Sequence, residues 1–265
     1  MTAHATPVDL PACGPPAAEQ ALPGTAVRDA AITGAATAAL CTALALTAGL
    51  SPLTVAGACA GIAVAAAASI SLVRRRNRWS GPADRVTLAR TVLIAGCATF
   101  TLPVLAGAQP ARTWLLLALV APALALDAVD GKVARRTATS SAPGARFDME
   151  MDAVLLLVLS LIAARPLGGW VMAIGAMRYA FVAAGRLRPE LRTPLTSHFG
   201  RAVAAIQGIT LAAGLTPAVP LPLGRAAAAA ALALLTVSFG RDVIRLESAS
   251  AAQAAGRADR GLAPE

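Results

Sequence analysis

Long apolar runs alternate with short breaks over most of this chain. Eight runs, at residues 28–49, 52–73, 85–108, 113–133, 149–166, 168–185, 201–217 and 221–244, approach the roughly 20 residues that a helix needs to cross a bilayer. Several breaks are abrupt: Ser51-Pro52, Gln109-Pro110, Arg165-Pro166 and the stretch from Pro217 to Pro222. Run length and Pro/Gly punctuation argue for helices joined by tight turns. The pattern therefore predicts an all-α fold, a polytopic transmembrane helix bundle.

Composition agrees with that reading. The 265 residues are 57% hydrophobic and 14% charged, with a mean hydropathy of +0.65, which is wrong for an ordinary soluble domain. Alanine dominates the runs, and small residues let membrane helices approach closely, so a compact bundle needs no special GxxxG contact. The net charge of +9 invites nucleic acid as a partner. With only 3% aromatic residues, however, the interleaved rings of a base-stacking surface are missing, and no nucleic-acid role is expected.

The basic residues instead sort by side. The run Arg74-Arg75-Arg76-Asn77-Arg78, the region from Lys132 to Arg146, the loop from Arg186 to Arg201 and the C-terminal tail share one side. Arg112, Arg165 and Arg225 fall near the other. The positive-inside rule makes the rich side cytoplasmic, with both termini there, in the plasma (inner) membrane of a prokaryote. Residues 1–27 carry Pro7, Pro11, Pro15 and Pro16 before Pro23-Gly24 and no Lys or Arg, which reads as a disordered cytoplasmic tail rather than a signal peptide. Residues 247–265 are polar and alanine-rich and read as a second loose tail. Cys13, Cys41, Cys59 and Cys97 have no ligand spacing, and His4 and His198 are isolated, so neither a disulfide framework nor a zinc site is expected.

The chemistry concentrates between Asp127 and Asp152. Asp127, Asp130, Gly131 and Ala134 fall on one face of a helix, and Asp148 and Asp152, four apart, share a face of the next. The connection from Arg136 to Ala145 reads as a turn. Carboxylates in an apolar setting are costly and repel one another, so positive charge is expected among them. Oxygen-only ligands select hard cations such as Mg²⁺ or Mn²⁺, and two ions held between two helices can clamp a diphosphate. Gly131 and Ala134 leave the face bare for a ligand, and Arg135 offers a planar fork for phosphate oxygens. Glu150 is out of phase with Asp148 and Asp152 and is left out.

The full pattern is Asp127-x-x-Asp130-Gly131-x-x-Ala134-Arg135, eight residues, then Gly144-x-x-x-Asp148-x-x-x-Asp152. It resembles the signature of the CDP-alcohol phosphotransferase family of integral membrane enzymes. The resemblance covers about residues 82–246 and implies a six-helix catalytic core, to which the hairpin at 28–73 is an addition of two N-terminal transmembrane helices. It implies transfer of a phosphatidyl group from a CDP-linked lipid donor, such as CDP-diacylglycerol, to an alcohol or phosphorylated alcohol acceptor with release of CMP. It also implies two divalent ions on Asp127, Asp130, Asp148 and Asp152. Asp148 and Asp152 are then catalytic, Asp152 as the base. Gly131, Ala134, Arg135 and Gly144 become CDP-contacting positions, and homodimerisation is a further implication.

A weaker likeness precedes the core. Asp84-Arg-Val-Thr87-Leu-Ala-Arg90 is similar to an Asn-x-Leu-Thr-x-x-Arg stretch of the family, with Asp84 in place of Asn and Val86 in place of Leu. Thr87 and Arg90 share a face and either approach the nucleotide or, for the arginine, reach lipid headgroups. Arg178, inside an apolar run, pairs with the Asp cluster or a substrate phosphate, or snorkels. Arg186, Arg188, Arg192 and Arg201 hold a phosphorylated acceptor or simply face lipid. A membrane prenyltransferase and a non-catalytic transporter are the rival readings. The first would be expected to place its Asp motifs in distant helices, and the second would release no CMP. The acceptor is open among glycerol phosphate, inositol phosphate, serine and a second lipid.

Overall fold

A computed structural model describes residues 25–75, 81–136, 142–187 and 198–261 of the chain. Among these the protein is entirely helical: α1 (Thr25–Ala48), α2 (Pro52–Arg75), α3 (Pro82–Leu105), α4 (Trp114–Arg136), α5 (Ala142–Leu167), α6 (Met172–Leu187), α7 (His198–Leu215) and α8 (Leu221–Gly261). A 3-10 turn, Gly169–Val171, leads into α6.

The breaks read from the sequence are built as expected. Between α1 and α2, Gly49 takes a positive φ of 88°, which a side chain would resist. Thr54 Oγ1 then donates to the Gly49 carbonyl at 2.6 Å, and the Thr54 N–H donates to Ser51 Oγ at 3.1 Å. Ser51 thus caps a helix whose first residue is Pro52. Two ends differ from expectation. Helix α5 starts at Ala142, inside the stretch expected as a turn, because Pro143 is tolerated in a first helical turn. Helix α8 runs on through the segment from Glu247 expected as a loose tail and ends at Gly261; alanines there favour helix over coil. The expected N-terminal tail, residues 1–24 of it, lies outside the described residues.

Among the described residues, four helical stretches are long and apolar enough to cross a membrane by themselves: Thr25–Ala48, Pro52–Arg74, Asp84–Leu105 and Leu221–Arg241. Trp114–Asp127 and Ala202–Leu215 are shorter apolar stretches. Ile32, Leu46, Val55, Ile70, Ile209 and Val237 stand exposed on the outside of the bundle. Such residues are at home against lipid tails. Exposed Trp114 and Trp170 lie at one end, where ring edges suit a membrane interface. The protein is an integral membrane protein.

Helix α3 is the hub. Its span is 72% buried, against 28% for those of α1 and α8, and it packs on α1, α2, α4 and α5. Composition alone calls for no special GxxxG contact, yet Gly57-Ala-Cys-Ala-Gly61 is one. A methyl group at Gly57 or Gly61 would overlap the carbonyl oxygen of Thr99 or Ala95 on α3, so two backbones touch here. Gly61→Ala is expected to lower the thermal stability of the detergent-solubilised protein by about 1–3 kcal/mol. Gly34→Ala, where a methyl meets open space within α1, should not lower the melting temperature and should raise it slightly.

The end of the bundle bearing Trp114 and Trp170 is tied by side chains that donate to helix-end carbonyls. Gln109 reaches the Ala48 carbonyl at 2.8 Å, Arg112 the Thr216 carbonyl at 2.7 Å, and Arg225 the Pro166 carbonyl at 3.0 Å. Arg112 and Arg225, two of the three arginines on the side expected to be poor in positive charge, therefore have work within the fold.

Candidate active site

The other end of the bundle carries the acidic cluster. Helix α4 brings Asp127 from its second half, and α5 brings Asp148 and Asp152 one turn apart in its first half. On α5, Phe147, Met151 and Leu155 are buried in the core. This neighbouring stripe fixes the rotation of the helix and so aims the two carboxylates. Carboxylate oxygens of Asp127, Asp148 and Asp152 lie within 4.8 Å of one another. Their side chains are 33%, 33% and 32% exposed, so the cluster is open to a ligand from the bundle's end. Glu150 is exposed and outside the cluster, as its helical phase requires.

Arg90 of α3 lies beneath the three carboxylates with its side chain at 0% exposure. One terminal nitrogen donates to Asp127, and the other lies 2.7 Å from Asp148 Oδ1 and 3.0 Å from Asp152 Oδ1. A side chain with no exposure does not fit the alternative in which Arg90 reaches lipid headgroups; it turns inward, to the face that carries the carboxylates. The demand for positive charge among clustered carboxylates was legible, but its source one helix away was not. At an effective dielectric of about 20, two like charges 5 Å apart repel by roughly 3 kcal/mol. One guanidinium cannot balance three ionised carboxylates, and a hard divalent cation suits the remaining negative charge and the all-oxygen donor set.

Other expected residues fall around this centre. Gly144, half-buried, lies one turn before Asp148, so that Gly144, Asp148 and Asp152 form one stripe along α5. Thr87 is buried one turn before Arg90 on α3. Asp130, Gly131, Ala134 and Arg135 continue the helical backbone of α4 beyond Asp127, and their side chains lie outside the described residues. The same holds for the side chains of Arg178, Arg186 and Arg201, while Arg188 and Arg192 lie outside the described residues altogether.

Two acidic residues have roles that sequence reasoning missed. Asp84, where the family stretch has Asn, is buried and accepts the Gly81 N–H at 2.8 Å, capping α3. Asp29 on α1 is buried and pairs with Arg85 on α3 at 2.7 Å. An ionisable residue within an apolar run seldom lacks a partner, which is the signal that would have flagged Asp29.

Comparison with known proteins supports one assignment. A family model described as CDP-alcohol phosphatidyltransferase matches residues 80–239, from just before α3 to well into α8. No curated protein and no solved structure gives a match. With the match spanning more than half of its length and containing all four clustered side chains, the chain belongs to the CDP-alcohol phosphatidyltransferase family.

Proposed function

We propose that the protein transfers a phosphatidyl group from a CDP-linked lipid, such as CDP-diacylglycerol, to an alcohol acceptor and releases CMP, in phospholipid biosynthesis. The observation that carries this reading is the meeting of Asp127, Asp148 and Asp152, from two helices, in one half-exposed cluster within 4.8 Å. Asp127, Asp130, Asp148 and Asp152 are the residues that would hold two Mg²⁺ or Mn²⁺ ions. When bound, such ions neutralise the diphosphate and stabilise CMP as it leaves.

The chain's own residues do the rest. Asp152 accepts the proton of the acceptor hydroxyl as that oxygen bonds to the lipid-side phosphorus. The bond from this phosphorus to the bridging oxygen breaks, and CMP departs with the electron pair. Gly131, Ala134 and Gly144 give the nucleotide close approach to backbone, Arg135 binds its phosphate oxygens, and Thr87 lines its site. Arg90 acts through the carboxylates, holding them in register. The arginine-rich end of the bundle faces the cytoplasm, where the donor and a polar acceptor meet the site.

The test is CMP release from CDP-diacylglycerol by membranes containing the protein, screened with glycerol phosphate, inositol phosphate, serine and lipid acceptors. Release is expected with one acceptor class, to vanish with a chelator, and to return with Mg²⁺ or Mn²⁺. No CMP with any acceptor and either metal would remove the proposal.

A further inference from the structure

The two helices that precede the family-matched region grip α3 on the face turned away from the acidic cluster. At about 100° per residue, Ala95 and Thr99 lie roughly 140° and 180° round α3 from Arg90, and Arg85 lies about 140° round in the other direction. At each of these three positions α1 or α2 touches α3, and Leu40 and Leu44 of α1 also pack on Gly96. Asp29 holds Arg85 at 2.7 Å, and Gly57 and Gly61 press on the Thr99 and Ala95 carbonyls. Cys41, Ala45, Ala58, Ala65 and Ala95 form a small buried cluster of their own between the three helices. The grip therefore brackets Arg90 along the helix, with Arg85 on one side and Ala95 and Thr99 on the other.

Register matters here because the Arg90 contacts are short and directional. Sliding α3 by one residue would translate Arg90 by about 1.5 Å and turn it by about 100°. Either movement breaks a bridge that spans three carboxylates from two other helices.

From this we infer that the α1–α2 hairpin is a positioning element of the active site: through Asp29–Arg85 and the Gly57/Gly61 contact it sets the height of α3, and so the placement of Arg90 under Asp127, Asp148 and Asp152. The inference rests on the proposed metal site for its effect on cation binding, and on the fold alone for its effect on geometry. Asp29, Gly57 and Gly61 are positioning residues, and none of them touches the cluster.

The experiment compares wild type, Asp29→Asn, the exchanged pair Asp29→Arg with Arg85→Asp, and Gly61→Leu, all in full-length protein in detergent. Spin labels at Ala89 on α3 and Glu150 on α5, both exposed, report the distance between the helices in a background with Cys13 and Cys59 replaced by serine. Mn²⁺ binding is measured by calorimetry on unlabelled protein, well below each variant's melting temperature. Asp29→Asn is expected to broaden the distance distribution and weaken Mn²⁺ binding by roughly two- to fivefold, the exchanged pair to restore both, and Gly61→Leu to weaken binding by about tenfold or more. Lower melting temperatures with unchanged distances and unchanged Mn²⁺ affinity would overturn the inference, because the hairpin would then only stabilise. If wild type binds no Mn²⁺, the metal reading falls by itself. The distances still decide: broadening in Asp29→Asn that the exchanged pair reverses supports the positioning role, and identical distributions refute it.

Discussion

Asp148→Asn is expected to lower CMP release from CDP-diacylglycerol by about 10²-fold or more, the scale on which removal of one preorganised electrostatic partner acts. The substitution is chosen because it keeps the shape. Asp148 Oδ1 accepts from Arg90 at 2.7 Å, and an amide oxygen in the same place still accepts that bond. What disappears is a negative charge in a cluster that already carries one buried guanidinium, so cation binding weakens while α3 and α5 stay joined. Two measurements separate the effects. The melting temperature should stay near wild type, and the concentration of Mg²⁺ or Mn²⁺ giving half-maximal rate should rise. Glu150→Gln, on the exposed side of the same helix, is the matched control and should leave turnover unchanged. Asp148→Asn with wild-type turnover would mean that the carboxylate holds no metal that the reaction needs.

Much of this site was legible before any fold was known, and the reason is local. Asp148 and Asp152 are one helical turn apart, and the apolar runs around them make helix the default, so their shared face follows from spacing alone. The meeting of Asp127 with that pair follows from two helices joined by a short connection. Arg90 was harder. It stands 37 residues before Asp127 in sequence, and nothing in its own helix separates an arginine that faces lipid headgroups from one turned inward. The choice is made by tertiary packing, with α1 and α2 on one side of α3 and α4 and α5 on the other. In sequence α1 and α2 stand only as an addition to the core, because small-residue contacts leave a weak mark in an alanine-rich chain. The Gly57–Gly61 pair and Asp29 were visible as residues, but their partners Thr99, Ala95 and Arg85 are set by tertiary packing. The helical continuation of α8 past Glu247 was missed for the opposite reason: hydropathy marks where a membrane span ends, whereas helix propensity carries the backbone on.

Arg90→Ala is expected to be the most damaging single change to the fold, costing about 3–5 kcal/mol, because it leaves buried charge without its partner. Removing the side chain exposes Asp127, Asp148 and Asp152 to one another across less than 4.8 Å, and it leaves a space at the hub of the bundle. The two costs have different signatures. Repulsion is relieved by taking away one of the charges, so Asp127→Asn should recover part of the melting temperature lost in Arg90→Ala, a non-additive result expected of groups in one network. A cavity is indifferent to that second change. Repulsion is also relieved by a bound cation, which stabilises the folded state by an amount that grows with the logarithm of its concentration above Kd. Millimolar Mn²⁺ should therefore raise the melting temperature of Arg90→Ala more than that of wild type. Arg90→Lys, a point charge on a flexible stem, cannot span three carboxylates with a planar fork and should fall between the two. If Asp127→Asn and Mn²⁺ both fail to rescue Arg90→Ala, the arginine matters for its volume rather than its charge, and the electrostatic account of the cluster is wrong.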